Sequence, residues 1–91
     1  MRFARAFGGK GDAPGQFAAP EGVALVRGLL VVSDSMGKRV QVLTSKGVPL
    51  QVLNFNSRWD LLGGVCTSSN EDTVWVADFG SEVVRVLKLK A

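Results

Sequence analysis

The chain of 91 residues (9.7 kDa) is 46% hydrophobic and 21% charged, with net charge +3 and mean hydropathy +0.19. This length holds one domain, and the apolar content with so small a net charge excludes a disordered chain. Cys66 stands alone, which excludes a disulfide scaffold. The longest apolar run, Gly28 to Val32, is far short of the roughly 20 residues of a spanning helix.

The predicted elements are all strands. Arg2 to Phe7 opens the chain with a strand-like run, followed by a stretch rich in glycine up to Gly15. Strands are then expected over Gly22 to Val26, Leu29 to Ser33, Arg39 to Leu43 and Pro49 to Leu53. A second set covers Gly64 to Thr67, Thr73 to Ala77 and Val83 to Leu89. Nothing reads as a helix, because Gly or Pro interrupts every longer stretch and β-branched residues dominate. Val23 to Val26 and Leu29 to Val32 are continuous apolar runs, as in strands covered on both faces. Val40 and Val42, like Val84 and Val86, alternate with polar residues, which predicts half-exposed third strands. A closed fold of this mass would leave about 5,100 Å² accessible to solvent.

Two units repeat. Gly22 matches Gly64, 42 residues on, while Asp34 matches Asp78 and Val40 matches Val84, both 44 on. The difference of two is an insertion within the polar stretch Ser68 to Asp72, a length change that a surface turn tolerates. Such a period is typical of arrays whose units stack to bury a shared core.

Phe7-Gly8, Gly11, Gly15-Gln16-Phe17, Pro20, Gly22-Val23-Ala24, Ser33-Asp34 and Arg39-Val40-Gln41-Val42 resemble the NHL repeat. The second unit follows the pattern less closely. Trp59 stands where Phe17 does, Leu62 where Pro20 does, and Val83 where Arg39 does. Gly37 and Ser81 occupy the family's usual Asn position.

The resemblance implies an all-β fold of propeller blades, commonly six to a ring. Residues 1–91 then form one two-blade unit. Residues 20–53 make the first blade, 62–89 a second blade lacking its outer strand, and 2–7 an outer closing strand. Two blades leave sheet faces and edges uncovered. The simplest closure is a homotrimer of six blades, in which Arg2 to Phe7 of one chain completes the second blade of the next. Arg2, Phe3, Phe7, Val84 and Val86 are the expected closure residues. The rival is a piece of a longer propeller, or two blades docked on another protein.

Candidate sites are few. Asp34 and Asp78 fall at the ends of second strands, where an Asp accepts hydrogen bonds from turn amides. A ring of such carboxylates holding a cation is the alternative. Gly8-Gly9-Lys10-Gly11 lacks the Walker spacing and reads as an interblade loop. Glu21, Asp60 and Asp72 give no reason to be placed together as an acid/base pair. Phe17 and Trp59 read as core plugs, Trp75 as packing between blades, and Cys66 as a buried thiol. Phe79, in a turn beside Gly80, is the best exposed aromatic contact, with Lys38 and Arg39 as a basic pair.

The expected function is a non-catalytic binding or scaffolding module for protein partners, assembled with itself. The alternative is an RNA-binding propeller that uses Lys38, Arg39 and Phe79. Less favoured is a reduced metal enzyme of the lactonase or lyase type, because the chain has no histidine. No catalytic, cofactor or metal residues are expected. Met1 to Phe7 lack the apolar stretch of a signal peptide, which with the single cysteine leads to an intracellular, cytoplasmic expectation.

Overall fold

The structure, a computed structural model, describes Arg2 and residues 6–54, 62–67, 73–78 and 82–88. Seven strands follow one another: β1 (Pro20–Val26), β2 (Leu29–Asp34), β3 (Arg39–Leu43), β4 (Pro49–Asn54), β5 (Leu62–Thr67), β6 (Thr73–Asp78) and β7 (Val83–Lys88). They form two antiparallel sheets, of order β1-β2-β3-β4 and β5-β6-β7. Among the described residues there is no helix long and apolar enough to cross a membrane. Of the expected opening strand, Arg2, Ala6 and Phe7 are described and lie outside any strand, while residues 3–5 are outside the described set.

The turns follow from local chemistry. Arg27 and Gly28 both take positive φ (50° and 76°), the two-residue hairpin turn whose twist suits the flanking strands. In the β3–β4 turn, the Thr44 hydroxyl accepts from the amides of Lys46 (3.3 Å) and Val48 (3.1 Å), which supports the reversal. At the β2–β3 turn, Lys38 has φ 52°. Glu82, 44 residues on at the β6–β7 turn, has φ 57°. A register shift between Pro20 and Gly22 in β1 recurs between Leu62 and Val65 in β5. The duplication in sequence is therefore also a duplication in backbone.

The two sheets pack face to face, with β5 alongside β1 and β2. Cross-strand partners share a face. The register Val31↔Val42 and Ser33↔Val40 therefore sets one face of the first sheet, and Val32↔Gln41 with Leu30↔Leu43 sets the other. The first of these is the inner face. Val26, Val31, Val40 and Val42 meet Val74 and Val76 of the second sheet, with Leu29 and Leu87 packed at the margin. Each such side chain contributes about 1.5–3 kcal/mol by leaving water. The cavity left between Val31, Val42, Gln51 and Leu87 is only about 10 Å³, room for a single water at most. This interface is a core and not a ligand site.

Two expectations change. β3 is not half-exposed: all five of its residues are buried. It is a central strand, and its polar side chains Arg39 and Gln41 lie under a loop. β1 is not covered on both faces: Val23 and Leu25 are exposed. Nothing among the described residues lies over them, because the second sheet covers only the inner face.

Candidate functional site

The outer face of the first sheet is partly roofed by residues 9–17. This segment closes on itself: the Phe17 amide donates to the Gly9 carbonyl (2.8 Å), the Gly11 amide to the Phe17 carbonyl (3.2 Å), and the Gln16 amide to the Ala13 carbonyl (2.9 Å). Phe17 plugs into Val32 and Leu43 of the sheet below. A glycine-rich loop offers many carbonyls and few side chains, so it needs donors from beneath. β3 supplies them. Arg39 donates through Nη1 to the Asp12 carbonyl (2.6 Å) and through Nη2 to the carbonyls of Gln16 (2.6 Å) and Gly11 (3.1 Å). Two residues along the same face, Gln41 donates to the Gln16 carbonyl (2.7 Å) and accepts from the Gly15 amide (2.8 Å).

Asp34 ties the end of this loop to the following turn. Its carboxylate accepts from the amides of Ala18 (2.9 Å), Ala19 (2.8 Å) and Gly37 (3.0 Å), and from Arg39 Nε (3.5 Å). Burial works to raise its pKa. The three amides and the Arg39 guanidinium outweigh that and hold the carboxyl below the usual Asp value. A carboxylate saturated by four donors and held ionised has no proton to offer. It is a clamp, not an acid/base group. Gly37 fits this clamp by lacking a side chain: a Cβ there would stand 2.5 Å from Asp34 Oδ2.

Asp78 occupies the matching place in the second sheet, but its cation has moved. Arg85 donates from Nε and Nη2 to Asp78 Oδ2, both at 3.2 Å. Arg85 is 44 residues beyond Gln41, not beyond Arg39. Two residues along a strand keep the same face, so the ion pair survives with a different register. Among the described residues, no three His, Cys, Asp or Glu side chains gather to hold a metal ion.

The residues singled out in the sequence fall in different places. Arg39 is buried and spends its guanidinium inside the protein, so it is not a surface charge beside Lys38. Lys38 is half-buried at the turn. Arg2 is exposed. Phe7 stands against the β3–β4 turn, its ring 2.6 Å from where a Cβ of Gly47 would lie. Phe3, Trp59, Asp60, Asp72 and Phe79 lie outside the described residues. Val84 and Val86 share with Trp75 the face of the second sheet turned away from the first, and all three are exposed.

Sequence reading missed Gln41 as a loop anchor. The available signal was its spacing of two from Arg39 on a strand facing a glycine-rich segment. Trp75, expected to pack between blades, stands exposed on the face turned away from the first sheet.

The candidate site among the described residues is therefore exposed apolar surface. At one end of the stack lie Trp75, Val84 and Val86, and at the other Val23 and Leu25. No protein-family model matches this chain, and no curated protein matches it at a significant level.

Proposed function

We propose that the chain is a non-catalytic, NHL-like two-blade module that acts by assembling with further copies of itself and scaffolding a protein partner. One observation carries the reading: the outer face of the second sheet exposes Trp75, Val84 and Val86, and the outer face of the first exposes Val23 and Leu25 beside the loop that roofs the rest of it, although the face between the sheets is fully packed. Exposed apolar faces of this kind are interaction surfaces.

In the proposed assembly three chains make a six-bladed ring. Arg2 to Phe7 of one copy pairs with β7 of its neighbour as an outer strand. The segment 9–17 already lies on the outer face of the first sheet, so a strand leading into Phe7 would arrive beside a neighbouring blade. The β2–β3 and β6–β7 turns gather at one end of the ring, where Met36 is exposed on every copy. That end is assigned to the protein partner, which an apolar anchor among polar turn residues suits.

Light scattering on the purified chain tests the reading. The expected mass is three times 9.7 kDa. A monodisperse species of one chain mass up to about 100 µM, a hundredfold above the micromolar dissociation constant of about −8 kcal/mol binding, would overturn it.

A further inference from the structure

We infer that the hollow on the outer face of the first sheet is a binding site for a small aromatic carboxylate, which occupies it in competition with a neighbouring copy. The competition rests on the assembly reading above; the site itself does not.

The hollow has a volume of about 370 Å³ and is walled by Phe7, Gly9, Lys10, Phe17, Ala18 and Pro20. That is the low end of small-molecule sites, about 300–1,000 Å³, and suits one ring with a short arm. Its walls are set by contacts made elsewhere in the chain. Phe17 is seated on Val32 and Leu43. Phe7 stands against the turn at Gly47, and the Gly8 backbone lies on the Phe17 ring, where a Cβ would come within 3.0 Å. The Phe17 amide and carbonyl bond to Gly9 and Gly11, which fixes the Lys10 backbone beside Phe17. A hollow held open in advance spares a ligand the cost of ordering its walls.

The lining selects the ligand. Two phenyl rings and a proline ring offer flat apolar walls, which an aromatic ring fills with offset or edge contacts. Lys10 is exposed, and no acid stands among the lining residues. Its ammonium has no ion-pair or hydrogen-bond partner among the described residues. Arg39, Arg85 and Lys88, by contrast, are all engaged by groups of the protein. An uncommitted cation on the rim of an aromatic hollow favours an anion carried by a ring, through a charge-assisted hydrogen bond. A bare inorganic anion would leave the rings wet, and a neutral ring would leave the ammonium unused. One ammonium matches the single charge of a carboxylate.

The position of the hollow sets the competition. Phe17 packs on Val32, whose cross-strand partner Val23 is exposed, as is Leu25 further along the same face. The hollow therefore adjoins the bare apolar residues that the proposed ring turns to the next copy. A neighbour seated there would strip water from the carboxylate of a bound acid, which is costly, so acid and neighbour exclude each other.

The test follows the amide spectrum of the full chain as 3-phenylpropionate is added to about 10 mM, tenfold above a millimolar dissociation constant. Saturable shifts at Gly9, Lys10 and Ala18 are expected, with one acid bound per chain. The corresponding amide, 3-phenylpropanamide, has the same shape without the charge and should bind about tenfold more weakly. Lys10→Ala, at an exposed position, should bring the acid down to the affinity of the amide, and Phe7→Ala should weaken both. No saturation, equal affinity for acid and amide, or a preference that survives Lys10→Ala would overturn the site. Light scattering with and without the acid reads the competition: the mass should fall from three chains towards one. Saturable binding with the mass unchanged at three chains would refute the competition and leave the site. A single chain mass without the acid would refute the assembly reading and the competition with it, while the titration still decides the site.

Discussion

Asp34 and Arg39 face each other across β2 and β3, the carboxylate Oδ2 3.5 Å from the guanidinium Nε, both buried beneath the loop of residues 9–17. The pair is not the tightest contact in the cluster. Arg39 makes shorter bonds to the carbonyls of Asp12 and Gln16, both 2.6 Å, and Asp34 makes shorter ones to three backbone amides. Each charge is satisfied mainly by backbone groups of a segment with no regular structure of its own. The ion pair links those two sets and joins the loop to the sheet.

Replacing Asp34 by Asn removes the charge and turns two of its acceptor sites into donors that face other donors. Buried groups left without partners cost about 1–3 kcal/mol each, and breaking a buried ion pair about 3–5 kcal/mol. Asp34→Asn is expected to lower unfolding stability by about 3 kcal/mol, measured by urea titration at neutral pH. A loss below about 0.5 kcal/mol, the range of ordinary surface changes, would show that the clamp contributes nothing.

The same carboxylate sets an acid limit. Its pKa is lower in the folded chain than in the unfolded one, so it contributes stability above the unfolded value, near pH 3.9, and that stability is lost as pH falls through the folded value. The wild-type chain should lose stability on going from pH 5 to pH 3 more steeply than Asp34→Asn. Equal slopes for the two proteins over that window would contradict the clamp.

The strand pattern was legible because it is local. β-branched runs between turn residues predict β3 over Arg39 to Leu43, and the strand spans those residues. The six other observed strands agree with their expected spans to within two residues at each described end, whereas Arg2, Ala6 and Phe7 of the expected opening strand lie outside any strand. Burial was less legible. An arginine and a glutamine on an alternating strand look like a wet face until a loop distant in sequence is laid over them, and only coordinates bring Gly11 and Gln16 above Arg39. Trp75, expected to pack between blades, faces away from the first sheet and is exposed in the single chain. Both positions depend on contacts between segments, which periodicity cannot report.

Arg39→Lys keeps the charge and removes the fork. An ammonium has three donors at one point, whereas Arg39 reaches the carbonyls of Gly11, Asp12 and Gln16 as well as Asp34. The loop should open more often while the sheets persist. Amide hydrogen exchange at Gly11 and Phe17, whose bonds close the loop, should rise about tenfold, equivalent to about 1.4 kcal/mol of local protection. Exchange at Val40 and Val42 should rise far less. A uniform change at all four amides would mean that Arg39 serves global stability and not the loop.

The contact between Phe7 and Gly47 decides where the N-terminal segment approaches the sheet. Gly47 has φ 87°, and a Cβ there would stand 2.6 Å from Phe7 Cγ. Gly47→Ala therefore carries two separable costs. The left-handed backbone costs about 1–2 kcal/mol in any background. The collision with the ring exists only while Phe7 is in place. In a Phe7→Ala background the second cost disappears, so the double-mutant cycle should show a coupling of about 1 kcal/mol, in the range found for residues in contact. Simple additivity would mean that Phe7 leaves the β3–β4 turn in solution. The strand proposed to cross to a neighbouring copy would then lose its anchor at the rim of the first sheet, because Phe7 is the last side chain before the loop that Arg39 and Gln41 hold down.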